Sequence, residues 1–147
     1  MKGEIKIKRH KIAPAYFKMI EHELYNYDET KKEIEQLKNE IIESPPPPIS
    51  ERVNIQTGVI SDTTFNKANK IYTNSFITHM ERTVRAIDRA LMQLDDIHNE
   101  IFELKYRQGK NWRQVLSIAH FGQDTFFKKR RELIYQVAVN MGFVEIS

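Results

Sequence analysis

Apolar residues recur along this chain at intervals of three and four, the spacing that gathers them onto one face of a helix. Pro14 suits the first turn of a helix, and Phe17, Ile20, Leu24 and Tyr27 follow as its inward face, to about Asn26. Asp28 is expected to cap a second helix, 28–43, with Ile34, Leu37 and Ile41 inward and a mixed Glu/Lys face outward. Four prolines at 45–48 forbid helix and favour a stiff spacer, so 44–61 reads as a linker. A long helix is predicted from Ser61 or Asp62 to about Leu94. Its inward series is Phe65, Ala68, Tyr72, Phe76, Met80, Val84, Ile87, Leu91 and Leu94. The mean spacing of about 3.6 is that of a straight helix rather than a left-handed coiled coil. It suits the backbone of a bundle, with dimerisation along it permitted but not required. The aromatic stripe is expected to be core.

Asp95-Asp96 should cap the next helix, Ile97 to Arg107, with Ile97, Ile101, Leu104 and Phe102 as its apolar set, and Gly109 should close it. Asn111 and Gln114 then form a variant of the capping box. Trp112, Val115, Leu116 and Ala119 give an apolar face, with Trp112 expected in the core beside Leu104 and Phe126. His120-Phe121-Gly122 breaks the run, His being one of the types tolerated where a turn needs positive φ. From Gln123 the period resumes with Phe126, Leu133, Ile134 and Val137 inward. The predicted fold is all-α, a helical bundle with a long central helix and a C-terminal helix-turn-helix. Its parts are a basic tip and helical hairpin (1–43), the proline-rich linker (44–61), the long helix (62–94) and the helix-turn-helix domain (95–147).

Charge gives the last of these parts a direction. The whole chain of 147 residues carries a formal net charge of only +3. Lys105, Arg107, Lys110, Arg113, Lys128, Lys129, Arg130 and Arg131 nevertheless fall within 105–131 against a single acid, Asp124. Such a concentration points to a polyanionic partner. Residues 1–12 add Lys2, Lys6, Lys8, Arg9 and Lys11 against Glu4, either a solvated tail or an arm for phosphates. In a helix-turn-helix the outward residues at the start of the second helix reach base edges. Gln123, Asp124, Phe127, Lys128 and Arg131 are therefore the candidates for the groove, with Phe127 equally placed to be core. Gln can pair with adenine, Asp can accept from cytosine, and Lys can donate to guanine. Thr125, Lys110, Arg113 and Lys129 suit phosphates, which fix register. Arg130 falls on the inward stripe, so its stem should pack and its head should meet a carboxylate.

The segment Leu104-x-Tyr106-x-x-Gly109-Lys110-x-Trp112-x-x-Val115, followed by His120-Phe121-Gly122-x-x-Thr125-Phe126, resembles the region-4-type helix-turn-helix of sigma factors. Leu116 stands where that family usually has Ala, and Ala119 where it has Leu, so small and large have changed places. Gly122 stands where Ser is commoner, which removes one side-chain cap. The order of parts, with Glu23-Leu24-x-x-Tyr27 and Leu37-x-x-Glu40-Ile41 ahead of the prolines, is similar to small phage transcriptional activators of the RinA and ArpU families. That resemblance implies a bacteriophage or prophage regulator of late genes for packaging, morphogenesis or lysis. Its expected partners are double-stranded DNA, the host RNA polymerase holoenzyme and a second copy of itself, in the bacterial cytoplasm. A small terminase subunit and a sigma-like polymerase-binding module remain as alternatives.

Other chemistry finds little support. The chain has no cysteine, which excludes disulfides and thiol chemistry. The five histidines show no metal-binding spacing, and the five glycines are scattered rather than gathered in a phosphate loop. Asp95, Asp96 and His98 are close in sequence, but a helix start attracts carboxylates for electrostatic reasons alone. Neither an enzyme nor a cofactor is expected. No stretch is apolar enough to span a membrane.

Overall fold

The computed structural model describes residues 12–43 and 62–144. The expectations for the basic tip and the proline-rich linker, and for the side chain of Phe65, lie outside the described residues. Within them the fold is all-α, with no strand. Helix α1 is Pro14–Tyr25, α2 Tyr27–Glu43 and α3 Asp62–Gln93. Helix α4, Asp96–Ile101, runs on into a π-helical segment, Phe102–Arg107, and α5 Trp112–Ile118 and α6 Gln123–Asn140 follow. Among the described residues no helix is long and apolar enough to cross a membrane.

The chain divides into two compact units: residues up to Glu29 together with those from Arg82 onward, and Thr30–Glu81. These do not coincide with the boundaries 1–43, 62–94 and 95–147 expected from the sequence. The reason is α1. Ile20 and Leu24 are wholly buried, in one core with Ile87, Ala90, Ile101, Val115, Phe126, Leu133, Ile134 and Val137. Each of the buried Ile, Leu and Val side chains contributes about 1.5–3 kcal/mol on burial. Separating α1 from the C-terminal helices would expose both faces.

Polar contacts fix where α1 lies. Glu21 Oε2 accepts from Tyr106 Oη at 2.8 Å and from Arg130 Nε at 3.0 Å. The Arg130 guanidinium also lies 5.1 Å from the centre of the Phe17 ring. The inward arginine therefore packs and pairs as its helical phase requires. Burial, with Glu21 beside it, pushes the Tyr106 phenol far above its ordinary range. Tyr27 is pushed up to about 12 by burial and by the Asp88 carboxylate that accepts its hydrogen bond.

Helix α2 begins one residue earlier than its capping signal suggests. Asp28 sits inside the first turn and pairs with Arg107 at 3.1 Å instead of capping. In the second unit Lys38 meets Glu81 at 2.8 Å, and Ile34, Ile77 and Met80 are buried. Tyr72 and Phe76, expected in the core, are exposed at 72% and 44%. Phe76 and Ile77 are adjacent apolar residues about 100° apart around the helix, and the fold buries the second. The same phase then runs on through Met80, Thr83, Ile87 and Ala90.

The π-helical segment is absent from the sequence reading, which expects one regular helix over 97–107. The segment ends with Gln108 N–H donating to Glu103 O at 3.0 Å, the i→i+5 bond of this wider turn. Lys110 N–H then reaches back to Leu104 O, also at 3.0 Å. Gly109 allows that closure with φ +74, in the left-handed region.

Candidate nucleic-acid interface

Two helices meeting at a short turn present most of the residues singled out above. Asn111 caps α5 reciprocally: its side chain accepts from Gln114 N–H at 2.9 Å, and Gln114 Oε1 accepts from Asn111 N–H at 2.9 Å. Residues 119–122 make the turn. Ala119 and Gly122 are both extended, at ψ 160 and 177. Among the described residues only Gly109 and Gly142 have positive φ, so His120 turns the chain without the left-handed conformation expected of it. Gly122 caps α6 with no side-chain hydrogen bond, which leaves the first amides of an 18-residue helix to its surroundings. Val115 from α5 and Phe126 from α6, 0% and 1% exposed, belong to one core and hold the pair together.

The candidate residues divide by their engagement. Gln123 and Asp124 are exposed on the first turn of α6, and Thr125 beside them is half-buried. Lys128 and Arg131, a turn further on, are exposed. Arg113 is exposed on α5 with its guanidinium 5.0 Å from the centre of the Trp112 ring, and Lys110 is half-buried just before that helix. Lys110, Arg113, Lys128 and Arg131 make no ion pair among the described residues.

Phe127 and Lys129 are instead held within the molecule. The Phe127 ring is half-buried, 5.1 Å from Phe126 and 5.8 Å from Trp112. Trp112 is accordingly half-buried against Phe127 rather than enclosed as expected. Lys129 Nζ lies 3.0 Å from Asp95 Oδ2 and 3.7 Å from Glu132 Oε1. Arg107 is likewise engaged by Asp28 and Glu103, and Arg130 by Glu21. Of the eight cations in 105–131, then, three are neutralised by carboxylates from other helices. Helical phase alone finds Arg130, and spacing offers Lys129 its i+3 neighbour Glu132, but the closer partner of Lys129, Asp95, lies 34 residues away.

Asp95 caps α4 as expected, within a group that the sequence did not bring together. His98 is 3% exposed, with Nδ1 2.8 Å from Asp95 Oδ1 and Nε2 2.8 Å from Glu132 Oε1. Asp95 caps the helix by accepting from Ile97 N–H and His98 N–H. Burial acts to raise the Asp95 pKa, but the Lys129 ammonium, the His98 amide and the His98 ring outweigh it and bring the carboxyl down to about 2. The Asp95–His98–Glu132–Lys129 group thus joins α4 to α6 and orients the helix that carries Lys128 and Arg131. Among the described residues no three acidic or histidine side chains are arranged to hold a metal ion.

A family model described as "Protein of unknown function (DUF722)" matches residues 17–139. No curated protein and no solved structure matches the chain.

Proposed function

The chain belongs to the DUF722 family, and we propose that it is a sequence-specific DNA-binding transcription regulator that acts by binding rather than catalysis. Its α5–turn–α6 pair serves as a helix-turn-helix. The observation that carries this reading is the set Lys110, Arg113, Lys128 and Arg131, four cations left without carboxylates around two helices joined by a turn. Gln123, Asp124, Lys128 and Arg131 face base edges, and Thr125, Lys110 and Arg113 meet phosphates, together with the amides at the start of α6. Phe127 and Lys129 support the surface from within. The resemblance to RinA- and ArpU-type activators supports the finer assignment, activation of phage late genes with host RNA polymerase in the bacterial cytoplasm.

Selection of bound genomic fragments by the full-length protein, followed by fluorescence anisotropy on the enriched duplex, tests this. Lys128→Ala with Arg131→Ala should weaken binding at least tenfold at unchanged helicity. It should also make the slope of log K against log salt shallower by about 2. A wild-type affinity independent of salt would remove the DNA-binding reading. Specific binding that never raises transcript yield with the host holoenzyme would remove activation. A large ring in solution would then favour a terminase subunit.

A further inference from the structure

We propose that the outward face of α3 is a second nucleic-acid contact, where Arg82, Arg85 and Arg89 hold phosphates of duplex DNA independently of the α5–α6 surface. The three arginines stand at i, i+3 and i+7, on one side of the helix, and all three are exposed. At about 100° per residue, Arg85 and Arg89 each lie about 160° around the helix from Ile87, which is 1% exposed in the core. A rise of 1.5 Å per residue spreads the three over about 10 Å of helix axis.

The destinations of the neighbouring carboxylates set this face apart from an ordinary solvated one. Helical spacing offers two acids to these arginines, Glu81 and Asp88. Glu81 Oε2 accepts from Lys38 Nζ at 2.8 Å, and Asp88 Oδ1 accepts from the Tyr27 hydroxyl. Arg82, Arg85 and Arg89 are left with no ion pair among the described residues. Like charges at i, i+3 and i, i+4 repel one another, so the folded chain carries this row at a cost that an anionic partner would offset. A planar guanidinium grips phosphate through two parallel N–H bonds. Three of them in a row suit a polymer of regularly spaced phosphates better than a single small anion. Met92, the next outward position at 86% exposure, also fits a protein partner, since Arg and Met are both enriched at protein interfaces. The charge favours DNA: three cations over about 10 Å with no free carboxylate between them.

The test uses the full-length protein, a fluorescent 30-base-pair duplex of arbitrary sequence and anisotropy at several salt concentrations. Arg82→Gln with Arg85→Gln and Arg89→Gln keeps good helix formers in place. It should weaken binding about tenfold or more at low salt and make the salt slope shallower by about 2–3, the share of three phosphates. The three corresponding Arg→Lys changes should keep most of the slope, which separates charge from fold. Lys128→Gln with Arg131→Gln runs in parallel. If it binds like the parent while the arginine variant does not, the α3 contact stands and the α5–α6 reading falls; the reverse result removes the α3 contact alone. No DNA binding by the parent removes both. A glutamine variant equal to the parent on DNA overturns the proposal. If it has then lost binding to polyglutamate, the face belongs to an acidic protein instead.

Discussion

Arg130 Nε lies 3.0 Å from Glu21 Oε2, joining the middle of α6 to α1 across 109 residues of sequence. Both side chains are about four-fifths buried, and Tyr106 shares the same carboxylate. Glu21→Gln should therefore cost about 2–3 kcal/mol, because it leaves a guanidinium largely out of water without its counter-charge. Adding Arg130→Met should recover part of that loss. Urea unfolding followed by circular dichroism measures both. Single variants within about 0.5 kcal/mol of the parent would show that the pair is not structural.

Acid should loosen the start of α4. Asp95 has a folded pKa of about 2 against an ordinary 3.8, so its contribution is whole above about pH 4 and is lost as the pH falls towards 2. The side chain is 53% exposed, which limits the electrostatic part to about 1 kcal/mol or less. Asp95→Ala should lose the cap as well, about 1 kcal/mol in all conditions. It should also flatten the acid limb of stability between pH 4 and 2. A variant whose acid limb runs parallel to the parent's would place the titrating group elsewhere.

Neighbouring lysines should behave oppositely. Lys128 is exposed and without an ion pair among the described residues, whereas Lys129 is held by Asp95 and Glu132. Lys129→Met should lower the unfolding midpoint and leave the salt slope of duplex binding where it was. Lys128→Met should leave the midpoint and make the slope shallower by about 1. Equal slopes for the two variants would contradict this division.

Gly109→Ala should destabilise by about 1–2 kcal/mol, although a Cβ there would meet no atom within 4 Å. The cost comes wholly from φ +74. Gly122→Ser is the contrast. Its backbone is extended, a Cβ would meet nothing within 4 Å, and Ser supplies the missing cap, so thermal melting should show a gain of about 0.3 kcal/mol.

Local signals in this sequence carried through to the fold because their physics is local. Pro14 opens α1, Asn111 with Gln114 caps α5, and Gly109 turns the chain as its type requires. Choices between near-equivalent neighbours were not legible. The run Phe76-Ile77 offers two faces, and tertiary packing decides between them. The π-helical segment carries no mark in its composition. At the candidate interface, phase separated Lys128 and Arg131 from Arg130 correctly. Glu132, at i+3 within α6, offers Lys129 one carboxylate, but the nearer one, Asp95, arrives from the start of α4 and no pattern within α6 announces it.

The discontinuous unit also constrains when the protein can fold. As the chain leaves the ribosome, α1 emerges with Ile20 and Leu24 uncovered, while their partners Phe126, Leu133 and Val137 are still untranslated. At about 5–20 residues per second, the hundred or so intervening residues take roughly 5–20 s to make. For that interval the first helix has neither its core nor the counter-ion of Glu21. Lys128 and Arg131 lie on the same helix as those partners, so the nascent chain completes this core and that basic surface together.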